Sequence, residues 1–545
     1  MNEPTDLPAS STPPALPRLP SGILPPAIAV VRWMEALRPA TVRLEDLPSL
    51  NGSLPDLLRL GGVEAVEIPT LPEPGFRWEG VGGGRVDARE PDEEADPDLF
   101  HHGELPAEEP RWADDQGALA LLDLARLEDA TSCLGVGSGA AWDQVLTALG
   151  AGVPPRVPPM LRQARGDFLG AWNPLPIERD LVVSLGGIGK PWGVRDHEGR
   201  TYPAQVVEGP TGEEVLTTLR LGAFQCVTLE ALEDPVADAA WEVEPTVLDN
   251  GVVRAELDAL GQVSRLCWDG VFAELTGPAV TPRIDGRILG GTATVTVLET
   301  GPVRARVSVR RTAAEGTLLI TYTLHAHEDC LRVTASWTGE GDLALAHPTA
   351  HRGSRLIAAG ELSRVAINQA RSVVQPPMTP LAGVRWAALG DAAGRGLAVV
   401  AGRPLMIEAE GGELRILGSG GVTYALAAAS RRPGALNLGT LAQTLTLPGR
   451  RYTGGEPLAP PFRLLESGGL VPLHARKPAD WSGELLLVDQ SGARGKAFLR
   501  PQGPVTEAWR VNAVGEPLSR LPLAKEKDGI ELDHGPHDLL LVRWK

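Results

Sequence analysis

Few side chains in this sequence are spaced for chemistry. His325 and His327 stand two apart in an alternating run, with Glu328 and Asp329 next to them. On a strand such residues point to one face, so the two imidazoles could share a metal ion. His347 and His351 lie close to Arg352 in a predicted loop, and His101 adjoins His102 in an acidic stretch. For each group the plainer alternative, a polar solvent-facing segment, is preferred. Gly82, Gly83 and Gly84 read as a turn rather than a phosphate cradle. No GxSxG elbow, P-loop, HExxH helix or dinucleotide fingerprint occurs in a convincing context. Aromatic residues make up 4% of the chain, so sugar-stacking platforms are scarce. Trp78, Trp112, Trp192, Trp268 and Trp386 are the candidates, and burial is the commoner fate of tryptophan in a sandwich.

The elements that must position these groups are mostly strands. Alternating apolar and polar residues run from Val252 to Leu257, Thr292 to Leu298, Val303 to Val309, Leu318 to Leu324 and Leu331 to Trp337. Gly, Pro, Asp or Asn often separates such runs, which predicts a large antiparallel β-sandwich. Shorter runs between Glu484 and Val542 predict a further small β-domain. Upstream, Leu54 to Leu60 predicts a helix capped by Asn51 or Ser53 and ended by Gly61-Gly62, followed by a strand over Val63 to Ile68. Helices are also predicted over Gln116 to Ala130 and Ala140 to Leu149. Glu90 to Glu109 is acidic and reads as a solvated linker.

The totals narrow the function classes. A chain of 545 residues is too long for one hydrophobic core. Its net charge of −18 argues against a nucleic-acid partner, which needs a basic patch. The Gly22 to Trp33 segment is short and holds Pro25 and Pro26, so neither a signal peptide nor a membrane span is expected. The four cysteines, Cys133, Cys226, Cys267 and Cys330, are far apart and fit buried free thiols in a reducing compartment. The expected location is the cytoplasm.

Several segments, taken in order, resemble the region after the catalytic barrel in family 38 glycoside hydrolases, the α-mannosidases. Asn173-Pro174-Leu175-Pro176-Ile177-Glu178-Arg179 is similar to the family's N-P-L-P-x-x-R entry into its first β-domain. Pro203-Ala204-Gln205-Val206 follows as its P-x-Q-V segment. Asp249-Asn250-Gly251-Val252-Val253-Arg254 resembles the opening of the large sandwich, with Asn250-Gly251 able to form a tight turn. Gly301-Pro302-Val303-Arg304-Ala305 and Val384-Arg385-Trp386-Ala387-Ala388-Leu389 fit later strands, and Ala508-Trp509, Gly515-Glu516-Pro517 and Gly535-Pro536-His537 resemble the terminal β-domain. Ahead of these, Leu54-Pro55-Asp56-Leu57-Leu58 and the stretch from Phe76 to Val86 resemble traces of the catalytic barrel.

The resemblance implies a retaining glycosidase with a nucleophile, an acid/base and a zinc ion. Counting back from Pro55, Asp46 falls at the nucleophile position, although Pro48-Ser49 replaces the expected Phe-Gly. The plainer alternative for Asp46 is a loop or capping aspartate. No histidine precedes His101, so the family's first zinc motif cannot form. Ala151-Gly152 occupies the place of its late zinc-binding His-Asp. No cofactor is therefore expected: zinc belongs to the family, but its ligands are not found.

The fold class expected is mainly β: a mutarotase-like antiparallel β-supersandwich plus smaller β-domains, with a short α/β and helical N-terminal region. The expected division is a Pro-rich disordered tail (1–27), a barrel remnant (28–90), an acidic linker (91–112) and a helical region (113–170). A small β-domain (171–240), the large sandwich (241–460) and a C-terminal β-domain (461–545) follow. The function expected is an α-mannosidase-like protein of carbohydrate metabolism, catalytically degenerate, with the sandwich as carbohydrate-binding or scaffold region. The alternatives are an active glycosidase with a rearranged site, or a structural subunit. The expected partners are carbohydrate and further copies of the chain in a homo-oligomer. Neither nucleic acid nor membrane is expected.

Overall fold

The computed structural model describes residues 34–35, 38, 40–44, 54–68, 76–79, 85–89 and 96–102, the strand Arg18–Leu19 and, with short gaps, 169–545. The predicted helices over 116–130 and 140–149 lie outside the described residues, as do Asn51 and Ser53. Among the described residues no helix is long and apolar enough to cross a membrane.

The N-terminal part is a six-stranded sheet. Its strands are β1 (Arg18–Leu19), β2 (Thr41–Leu44), β3 (Ala65–Glu67), β4 (Phe76–Glu79), β5 (Arg85–Arg89) and β6 (Asp96–His102), in the order β1-β2-β3-β5-β4-β6. β1, β2, β3 and β5 pair in parallel, and β4 runs antiparallel to β5. The helix Leu54–Leu60 crosses from β2 to β3. It buries Leu54, Leu57 and Leu58 on one side, beside Val42, Val66, Trp78, Val86 and Ala88 of the sheet. Gly62, at φ +81°, ends it in the left-handed conformation that a side chain would strain. The segment read as an acidic linker contains β6. A strand at the end of a sheet pairs on one side only and tolerates the charge that removes it from a pattern-based reading.

The large sandwich is built on a 13-stranded sheet. Thr292–Thr300, Arg304–Thr312, Gly316–His325 and Cys330–Gly339 form a meander of antiparallel strands, joined on its inner edge by Gly421–Ala428. Their inward residues, among them Val307, Ile320, Tyr322, Val333 and Tyr424, enter one continuous core. The alternation read in the sequence is the alternation of burial seen here. A seven-stranded sheet precedes the sandwich, and four- and five-stranded sheets follow it with their own core around Leu485, Leu499 and Trp544. The fold is thus mainly β, as expected. Cys226 and Cys267 are buried free thiols, and Cys330 is buried with its Sγ 3.9 Å from Glu328 Oε2; Cys133 lies outside the described residues.

Candidate functional site

The parallel strands direct attention to one edge. In α/β sheets the carboxyl ends of parallel strands and the loops after them carry the functional groups. Asp46 itself lies outside the described residues. The strand ahead of it, β2, ends at Leu44 and is followed by the helix and by β3. At the carboxyl end of this unit, Arg43, Glu67 and Arg89 lie in register on three neighbouring strands. All three alternate to the face opposite the helix. Glu67 is 8% exposed, and Arg89 Nη2 lies 3.8 Å from its Oε1. One step across the same face, Arg77 Nε donates to Asp87 Oδ1 at 3.4 Å, and Arg85 pairs with Glu79.

The sequence reading missed this row. Its signal was present in Thr41-Val42-Arg43-Leu44, Ala65-Val66-Glu67 and Arg85-Val86-Asp87-Ala88-Arg89, which carry charge in one phase. Chemically the row is a carboxylate between two guanidiniums. Such a set binds anions or neutral hydroxyls and repels a divalent cation. The described residues at this edge therefore do not fit zinc. Among the described residues no group of three or more His, Cys, Asp or Glu side chains could hold a metal ion.

The sheet is anchored from behind. Ala513 N donates to Leu60 O at 2.8 Å, tying the helix to the C-terminal β-domain. Glu35 reaches the same domain, with Arg476 Nη1 at 3.0 Å from its Oε2. Arg476 and Arg543 both donate to Glu484, which is 1% exposed. These contacts tie the end of the helix and Glu35 to the C-terminal β-domain.

The histidine readings change with the structure. His325 ends its strand, whereas His327 sits in the following turn at φ +63°, exposed. The two do not share a face, because the hairpin turn intervenes. His325 Nδ1 instead lies 3.3 Å from Glu328 Oε2. Burial alone would raise the Glu328 carboxyl, but Arg332 and then His325 outweigh it and hold it well below the usual range. His347 belongs to a strand, Leu343–Pro348, and not to a loop. It is fully buried, its Nδ1 accepts from Val280 N at 3.3 Å, and burial pushes its pKa down to about 3. His351 is buried too, 4.0 Å from Glu274. His101 and His102 stand on β6. Trp78, Trp268 and Trp386 are buried, and Trp386 Nε1 donates to Gln490 Oε1 at 3.0 Å. Trp192 is 64% exposed. Trp112 and residues 82–84 lie outside the described residues.

The polar residues of the quoted motifs hold the β-domains together. Arg179 Nη1 caps the helix Leu438–Thr444 by donating to Thr444 O at 2.7 Å. Its burial, reinforced by Arg332, lowers its pKa to about 9. Gln205 crosses to the large sandwich, its Oε1 accepting from Val303 N and Arg304 N and its Nε2 donating to Arg304 O. Asn250 Nδ2 donates to His325 O and Glu328 O, clasping the hairpin.

No protein-family model matches the sequence, and no curated protein matches it. Solved structures do match. A protein of glycosyl hydrolase family 38 from Enterococcus faecalis superposes with a TM-score of 0.68 at 11% identity, covering 97% of this chain and 90% of that one. An α-mannosidase from Enterococcus faecalis V583 gives a TM-score of 0.69 at the same identity and the same coverage. The chain has the fold of these proteins.

Proposed function

We propose that this chain is an α-mannosidase-like protein of carbohydrate metabolism that no longer performs metal-assisted glycoside cleavage. In this reading the sandwich serves as a glycan-contacting scaffold. The observation that carries it is the Arg43–Glu67–Arg89 row at the carboxyl ends of the parallel strands. Cleavage with retention needs two carboxyl groups about 5 Å apart, one nucleophile and one acid. A guanidinium on either side of Glu67 opposes the metal and favours contact with sugar hydroxyls or an acidic group. The likeness to an α-mannosidase at the level of fold supports the substrate class by analogy.

Glu67 also favours a second reading, an active glycosidase with a rearranged site. It would act as acid/base beside Asp46 as nucleophile. One assay separates the two. Turnover of aryl α-mannosides is measured with and without added zinc, in wild type, Asp46→Asn and Glu67→Gln. The first reading expects no turnover in any of them, and thermal stabilisation by millimolar mannose. Turnover that disappears in both variants would establish the second.

A further inference from the structure

The outer face of the large sandwich is paved with hydroxyls. Thr296, Ser308, Thr321, Thr334 and Thr423 lie in register across five neighbouring strands. Thr292, Thr312, Thr317 and Thr338 form a second row across four of them. Between the two runs the row Thr294, Arg310, Leu319, Ser336 and Gly421. All these residues are exposed or half-exposed. Charged residues make up 22% of the chain, yet Arg310 is the one charge on this patch. The solvent face of an ordinary antiparallel sheet carries Lys and Glu to keep it soluble and unpaired. Charges return at its borders: Glu299, Arg304, Arg306 and the Glu328–Arg332 pair beyond the first row, and Glu315 and Glu340 beyond the second.

The hydroxyls are available. Thr423 Oγ1 donates to Thr334 Oγ1 at 3.4 Å and Thr338 Oγ1 to Thr317 O at 3.1 Å. Among the described residues Thr296, Ser308 and Thr321 engage no side-chain hydrogen-bond partner. Each can donate and accept. Neighbouring strands lie about 4.8 Å apart, so a row offers one hydroxyl per step comparable to the length of a sugar ring. Leu319, 37% exposed, adds an apolar step in the middle. The sheet twists by roughly 20° per strand, which curves each row and suits a flexible chain better than a flat crystal face. The net charge of −18 disfavours polyanions.

We infer that this face, with the Thr296–Ser308–Thr321–Thr334–Thr423 row at its centre, docks a neutral, soluble polysaccharide chain. The inference deepens the glycan reading above and rests on it. The test is affinity electrophoresis of the full chain in gels containing soluble α-mannan, glucomannan or, as polyanion, alginate. Wild type is expected to be retarded by a neutral polymer and not by alginate. The Thr321→Val/Thr334→Val variant keeps strand-forming side chains and is expected to keep its Tm while its binding weakens about tenfold. Equal retardation of variant and wild type would overturn the surface and leave the glycan reading standing. Absence of retardation by either neutral polymer would overturn the surface, while mannose-induced stabilisation judges the glycan reading separately. Light scattering covers the remaining occupant: an oligomer that Thr321→Lys dissociates would place a second copy on this face and overturn the proposal.

Discussion

Arg179 Nε donates to Asn173 Oδ1 at 2.9 Å, and neither side chain is more than 4% exposed. Asn173 Nδ2 in turn donates to Ile177 O and Gly222 O, both at 2.7 Å. One asparagine thus closes a turn, grips a neighbouring strand end and orients an arginine that caps a distant helix. Asn173→Ala is expected to destabilise the protein by about 3 kcal/mol, because it strands a buried guanidinium and two carbonyls. Urea unfolding checks this. A loss below about 1 kcal/mol would show that the cluster is hydrated and not buried.

The Glu484 network makes a parallel case with a different readout. Glu484→Gln removes the buried carboxylate between Arg476 and Arg543 and leaves them only the more exposed Glu35, and a cost of about 3 kcal/mol is expected. Glu35, with 30% of its side chain exposed, matters less for global stability. Glu35→Gln should instead speed hydrogen exchange at Met34–Glu35, which loses its ion pairs to Arg476 and Arg543 of the C-terminal domain. Unchanged exchange would remove Glu35 from the docking contact.

His347 sets a pH dependence. Its folded pKa is near 3, against 6.5 for the free side chain. Below 6.5 the unfolded chain takes up a proton that the folded chain refuses. Stability from this group is therefore complete above 6.5 and is lost as pH falls toward 3, by about 5 kcal/mol at most. His347→Asn keeps an acceptor for Val280 N but does not titrate, so its stability should fall less steeply over that range. Parallel slopes for wild type and variant would exclude His347 as the cause.

Metal removal tests the charged edge. Dialysis of the whole protein against a chelator should leave Tm unchanged, and added zinc should not raise it, since a cation binding only the folded state would stabilise it by mass action. A Tm that rises with zinc and returns to the wild-type value in Glu67→Gln would contradict the electrostatic argument.

Much of the architecture was legible from alternation alone. Thr292 to Leu298 and Leu331 to Trp337 announce their strands because one face must be apolar and the other wet. Leu54 to Leu60 announces its helix in the same way. The edge strand Asp96–His102 was hidden, since pairing on one side imposes little pattern. The short helix Leu438–Thr444 was hidden as well, its seven residues all buried and without a polar face to mark the period.

The sequence by itself determined the strands of the sandwich that alternate strongly, through a local period that each residue's neighbours enforce. Tertiary structure alone decided which strands lie side by side, and register is a matter of non-local pairing. That is why Arg43, Glu67 and Arg89 meet although they are spread over 47 residues in three runs. It is also why His325 and His327, two residues apart, part company at a turn. The threonines of the outer face become a surface only when five strands align, because no single strand carries more than a few of them.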